Sequence, residues 1–126
     1  MRLLLDTHVL LWGLSEPTRI SPGASAAMES RQNQCFVSHA SLWEIAVEAR
    51  KGQLSVQEDL PGIVDANPLL SLLPITVVHA WGIRHLPRLH GDPFDQLLIS
   101  QALCEGMTLV THDRAMGQYG VPILAS

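Results

Sequence analysis

Two rhythms of apolar and polar residues alternate along this chain. Arg2–Leu5 is a compact apolar run that ends on Asp6, the pattern of a short buried strand. From His8 to Leu14 the spacing becomes helical, with Val9, Trp12 and Gly13 on one face. The loop Ser15–Pro22 ends in Ser21-Pro22, an N-cap followed by a first-turn proline, which opens a polar helix to about Arg31. Cys35–Ser38 predicts a second strand. Leu42, Ile45, Ala46 and Ala49 define a helix over Ser41–Lys51, closed by Gly52. A helix over Val56–Ala66, a strand at Ser71–Leu73 and a helix from Thr76 to about His85 follow. After the loop Leu86–Gly91, Asp92-Pro93 starts a helix over Pro93–Glu105, with Gly106 as its C-cap. Thr108–Val110 is a strand, Asp113–Met116 a short helix and Pro122–Leu124 a last strand. Strands that alternate with helices in this way predict an α/β fold with a mostly parallel central sheet, covered by helices on both faces.

A length of 126 residues suits one domain, residues 1–126, with a core large enough to fold without staples. Hydrophobic residues are 47% of the chain and charged residues 16%, which argues against disorder. The apolar runs are short: Asp6 stops the first, and Ser71 and Pro74 break the run near Leu69–Leu73, so none approaches the roughly 20 residues of a membrane span. The N-terminus lacks the shape of a secretion signal. Cys35 and Cys104 make no disulfide framework, and we expect both to be reduced core residues of a cytoplasmic protein. Twelve acids face eight bases, with Lys51 the single lysine, for a formal net charge of −4. A nucleic-acid binder usually carries basic excess. If the ligand here is a nucleic acid, a cation or a partner has to supply the attraction.

The acids themselves have a pattern. Asp6 follows the first strand and Asp113 the strand Thr108–Val110. Glu44 falls in the first turn of its helix, and Asp92 and Asp95 start theirs. In an open parallel sheet, strand ends and helix starts share one edge, where ligands bind. Most of these acids also have local explanations. Ser41-x-x-Glu44 fits a capping box, Asp92 an N-cap, Asp95 a dipole partner and Asp113 the cap of a short helix. Asp6 fits none so readily, because it interrupts Leu-Leu-Leu at the end of a central strand, where an unpaired carboxylate is costly. Mg²⁺ or Mn²⁺ would relieve that cost, since hard cations prefer carboxylates and water. Such a metal lowers the pKa of an attacking water and neutralises phosphate charge in phosphodiester hydrolysis.

Four segments, Leu3-Leu4-Leu5-Asp6-Thr7-His8, Ser41-Leu42-Trp43-Glu44-Ile45-Ala46, His90-Gly91-Asp92-Pro93-Phe94-Asp95 and Thr111-His112-Asp113, resemble the acidic motifs of PIN domains. More narrowly they resemble the VapC-like toxin ribonucleases of type II toxin–antitoxin pairs, over essentially the whole chain. The resemblance implies a metal-dependent endoribonuclease in which Asp6, Glu44, Asp95 and Asp113 are the catalytic quartet. Asp6 and Asp95 match the principal metal ligands, Asp113 a ligand that binds directly or through water, and Glu44 the group that orients water or shuttles a proton. Asp92, Thr7 and Thr111 would be auxiliary. It further implies Mg²⁺ (or Mn²⁺), an RNA substrate, a cognate antitoxin protein as partner, and a homodimer. The sequence departs from the pattern at Gln96, Glu48 and His112, where relatives often carry Arg, Lys, and Arg or Asn, so positive charge is lost beside the site.

Other readings compete. His85, His90 and His112 fall near the same edge, but no pair has the one-face spacing of a helical zinc motif. Gly13, Gly52 and Gly106 are isolated and make no phosphate loop. Trp12, Trp43 and Trp81 could stack bases, but the apolar neighbours of Trp43 and Trp81 favour core packing for both. A non-catalytic scaffold would be expected to have lost part of the acidic quartet, and a DNA nuclease of this type would need clamps for which the chain has little room.

Overall fold

The structure, a computed structural model, describes residues 1–89 and 91–126. The strands are β1 (Arg2–Leu5), β2 (Gln34–Ser38), β3 (Leu70–Leu73), β4 (Thr108–Thr111) and β5 (Ile123–Ala125), paired in the order β3-β2-β1-β4-β5. Every pairing is parallel, with Leu3 opposite Cys35 on one side and Thr108 on the other. The helices are α1 (Thr7–Ser15), α2 (Pro22–Glu29), α3 (His39–Arg50), α4 (Leu60–Ala66), α5 (Val77–Gly82) and α6 (Pro93–Glu105), with 3₁₀ turns at Pro17–Arg19, Ile83–His85 and Arg114–Tyr119. The expected α/β architecture is therefore present, and the sheet is parallel throughout.

The pleat of β1 explains both layers. Successive side chains point to opposite faces of a strand. Leu3 and Leu5 join Val9, Leu10, Ala24, Ile45 and Val64 of α1, α2, α3 and α4 on one face. Leu4 joins Leu98, Ile99 and Ala102 of α6 and Met116 on the other. With β1 covered on both faces and paired on both sides, its continuous apolar run is what burial requires. The chain runs outward from β1 through β2 to β3, then crosses back to lay β4 on the opposite side of β1. The strand order thus reverses between β1 and β4, and parallel sheets place ligands outside the carboxyl ends of the strands at such a point.

Local chemistry sets the helix ends. For α6 the boundaries match the sequence reading: Asp92 accepts from the Phe94 amide at 2.8 Å, Pro93 fills the first turn, and Gly106 closes the helix at φ +66°. For α3 they do not. Ser38, the last residue of β2, accepts from the Ala40 amide at 2.9 Å, so the helix starts at His39 without an intervening loop. Ser41 is therefore inside the helix and the Ser41–Glu44 capping box does not form; Glu44 lies in the second turn. The fourth helix begins at Leu60 rather than Val56, with Pro61 in its first turn. The helix expected from Thr76 to His85 gives way to a 3₁₀ turn after Gly82. Two expectations about burial are also corrected. Cys35 is buried but Cys104 is exposed, both as free thiols. Trp43 and Trp81 are 57% and 63% exposed, so neither is a core residue.

A buried polar network ties three helices together. Gln101 of α6 receives the Ser38 hydroxyl at 2.5 Å and donates to the Pro74 carbonyl at 3.3 Å. Its amide nitrogen also lies 3.3 Å from His79 Nδ1, and Ser100 donates to the His79 carbonyl at 2.6 Å. These bonds fix the start of α3 against α5 and α6, which sets the position of Glu44 relative to Asp95.

Candidate active site

Asp6 is fixed twice. As N-cap of α1 it accepts from the Thr7 amide at 2.6 Å, and its other oxygen accepts from the Thr111 hydroxyl at 2.6 Å. It is only 5% exposed. The Asp6 amide donates to the Val110 carbonyl at 2.9 Å, extending the β1–β4 pairing to the edge of the site. Thr111 then receives the Asp113 amide at 3.0 Å, and Asp113 accepts from the Ala115 amide at 3.0 Å as cap of the final 3₁₀ turn. One threonine hydroxyl thus couples the two strand-end acids. Thr7 donates to Ser41 Oγ at 3.1 Å, which anchors α3, and hence Glu44, to the start of α1.

These elements surround a cavity of about 360 Å³ lined by Asp6, His8, Glu44, Asp92, Asp95, His112 and Asp113. All four acids of the expected quartet lie on it, and so does Asp92. Thr7 and Thr111 brace it from behind through the bonds just given. Capping does not exclude Asp6, Asp92 and Asp113 from the cavity, because each cap uses one carboxylate oxygen and leaves lone pairs on the other. Of the histidines weighed for zinc, His112 lines the cavity and His85 does not, while His90 lies outside the described residues. Sequence reasoning missed His8 as a lining residue. Its position two residues after Asp6, in the first turn of α1, was the available signal.

The electrostatics of the cavity are one-sided. Burial pushes the Asp95 carboxyl up to about 7, and repulsion from Asp6, Asp92, Glu44 and Asp113 adds to it. Glu44 is also raised, first by burial; the Thr7 hydroxyl opposes this, Asp92 and Asp6 reinforce it, and His8 lowers it again. Thr7 has one hydroxyl proton, directed at Ser41, so its relief of Glu44 needs that proton to turn away from Ser41. Among the described residues, no Lys, Arg or His side chain forms an ion pair with any of the five acids. Nor do any three His, Cys, Asp or Glu side chains there converge closely enough to enclose a metal ion by themselves. Carboxylates are the donors that hard cations such as Mg²⁺ prefer, and an ion held by this set would have to complete its shell with water.

A parallel α/β domain with an acid-lined cavity at its strand-order reversal is the class that fold and site define. The sequence matches the PIN domain family over residues 3–122, and the chain belongs to that family. It is 30% identical to Ribonuclease VapC22 of Mycobacterium tuberculosis over 131 aligned positions, covering 95% of this chain and 93% of that protein. Among solved structures it is similar to VapBC2 of Rickettsia felis bound to a promoter DNA fragment, with a TM-score of 0.77 at 17% identity, over 99% of this chain and 98% of that one. The DNA-bound VapBC of Salmonella typhimurium gives a TM-score of 0.72, also at 17% identity and with the same coverage. No helix among the described residues is long and apolar enough to cross a membrane.

Proposed function

We propose that this protein is a divalent-metal-dependent endoribonuclease, the toxin of a toxin–antitoxin pair, that hydrolyses RNA phosphodiester bonds in the acid cavity. The observation that carries this reading is the collection of five carboxylates on one cavity with no cationic partner among the described residues. An anionic backbone would be repelled from such a place unless a cation bridges the two. The similarity to a ribonuclease named VapC22 and to VapBC assemblies supports RNA as substrate and an antitoxin as partner.

Asp6 and Asp95 would hold Mg²⁺ (or Mn²⁺), with Asp113 joining directly or through water. When bound, the metal lowers the pKa of the attacking water and neutralises charge on the phosphate. The protein's own groups do the positioning. Thr111 holds the Asp6 carboxylate and the Asp113 backbone in one hydrogen-bonded unit, so the two acids keep a fixed separation. Glu44, raised by burial, is suited to take a proton from water at the cavity and pass it to solvent. Asp92 adds negative charge at the rim, and Thr7 keeps α3 seated so that Glu44 faces Asp95. Self-association into a homodimer belongs to the same proposal and is tested by sedimentation of the purified chain.

The decisive experiment is incubation of total cellular RNA with the wild type and with Asp95→Asn, in Mg²⁺, Mn²⁺ or chelator, with single-stranded DNA as a control. Discrete RNA fragments only from wild type with metal support the proposal. Cleavage of DNA instead, or equal activity from the variant, refutes it.

A further inference from the structure

A row of rings leads into the acid cavity from the α1 side. His8 and His112 both line the cavity, and their rings stand edge-to-face at 5.5 Å and 89°. Trp12 lies 4.9 Å from His112 and 5.9 Å from His8. The Arg19 guanidinium sits over Trp12, 4.6 Å from the ring centroid, and is itself paired with Glu16 at 3.1 Å. The row is built rather than incidental. His8 and Trp12 are one turn apart on α1, so they share a face. Trp12 packs against the core that contains Leu3, Leu5 and Val9, which gives the row a fixed footing. At its inner end the two imidazoles are exposed, and neither hydrogen-bonds to another described residue. Their ring surface is therefore free at the cavity mouth, held in place by packing.

We propose that His8 and His112, braced by Trp12 and Arg19, form a base-stacking subsite for a nucleotide adjoining the scissile phosphate. This rests on the ribonuclease reading of the cavity and adds a residue-level basis for substrate choice. A nucleotide carries its base one sugar away from its phosphate, so a phosphate held at the carboxylates brings a base to the cavity wall. Every base offers a π face, and stacking on aromatic side chains holds unpaired nucleotides while tolerating sequence. A base locked in a duplex cannot offer that face, so the subsite selects unpaired segments. The wall also supplies aromatic contact area where the acids supply only repulsion, which a chain with a net charge of −4 needs if it is to retain RNA.

The test begins from the cleavage site mapped on cellular RNA. A short single-stranded RNA spanning it is compared with two copies that are abasic at the nucleotide on the 5′ or 3′ side of the scissile phosphate. For wild type, one abasic copy should raise KM by about 5- to 100-fold with kcat little changed. His112→Ala and His8→Ala should raise KM for the intact RNA by a similar factor and lose the distinction between intact and abasic copies. His112→Phe, which keeps a ring without its nitrogens, should restore it. Fluorescence anisotropy of the labelled RNA, with Ca²⁺ replacing Mg²⁺ to suppress turnover, should follow the same order. The melting-temperature rise produced by Mn²⁺ alone should be unaffected in all three variants, showing that the cation site survives. Wild type indifferent to both abasic copies, or His112→Phe as impaired as His112→Ala, overturns the subsite and leaves the nuclease standing. No RNA cleavage by wild type overturns the nuclease reading, and the subsite falls with it.

Discussion

Asp95→Asn should stabilise the metal-free protein most at pH 8 and only about a third as much at pH 5. In the fold the Asp95 carboxyl is pushed from its ordinary 3.8 up to about 7, chiefly by burial and then by Asp6, Asp92, Glu44 and Asp113. A carboxyl whose folded pKa is raised keeps its proton in the folded state while the unfolded chain has lost it. Stability therefore falls as pH rises from about 4 through about 7, and the loss is complete above that. At about 1.4 kcal/mol per pH unit the whole displacement corresponds to roughly 4 kcal/mol. Asp95 is partly open to solvent and shares its charge with four neighbours, so screening reduces this to about 1–2 kcal/mol. In a chain of this size such a gain raises the melting temperature by roughly 3–10 °C. Asparagine keeps the shape without the charge and so recovers that loss. The assay is thermal unfolding of both proteins in chelator at pH 5 and pH 8, repeated with 10-fold steps of Mg²⁺. With metal the order should reverse, because wild type gains binding energy that the variant lacks. If Asp95→Asn were equally destabilised at both pH values in chelator, Asp95 would be an ordinary first-turn acid favoured by the helix dipole, and the electrostatic account of the cavity would fail.

Binding of a divalent cation should expel the Asp95 proton, so apparent Mg²⁺ affinity should rise by up to about 10-fold per pH unit below 7 and level off above it. Calorimetry in two buffers of different ionisation enthalpy measures the released proton; an affinity flat from pH 5.5 to 8 would contradict this. Asp6→Asn should abolish RNA cleavage while the protein still folds, because asparagine caps a helix as well as aspartate and the Thr111 hydroxyl can turn toward Met116 Sδ, 3.6 Å away. Cleavage and circular dichroism test the two halves, and an unfolded variant would make Asp6 a purely structural residue. Gln101→Leu should cost about 1–3 kcal/mol in urea unfolding, since it leaves the buried Ser38 hydroxyl proton without an acceptor, while His79 keeps its bond from the Thr76 amide. A loss below about 0.5 kcal/mol would show that the network re-forms without its central amide.

The parts of the fold that sequence made visible are those with local punctuation. Helix α6 carries Asp92, Pro93 and Gly106 at its ends, and its span could be read to the residue. Strand β1 is marked by three leucines stopped by an aspartate. Helix α3 was displaced because Ser38 acts at once as strand residue and cap, and neither strand nor helix periodicity signals a junction without a loop. Trp43, Trp81 and Cys104 were misassigned for a different reason. Helical spacing shows that apolar residues share a face, but not whether the fold covers that face. Asp6, Asp95 and Asp113 were each visible at an element end, Glu44 was placed one turn too early, and the reversal of strand order at β1 brings all four to one cavity. The ring row was not visible, because His112 reaches Trp12 only through the pairing of β1 with β4.

That pairing also imposes a timetable. Asp6 leaves the ribosome well before the hydroxyl that secures it, because Thr111 follows 105 positions later. While β1 and β2 can zip together early, the flank of β1 that receives β4 stays open until residues 108–111 emerge. Asp113 comes later still. Long-range parallel contacts of this kind form slowly even in a finished chain. The cavity is thus completed last: a partly made or truncated copy carries Asp6 on an unsupported strand end, without the Thr111 hydroxyl that holds it or the Asp113 that closes the wall.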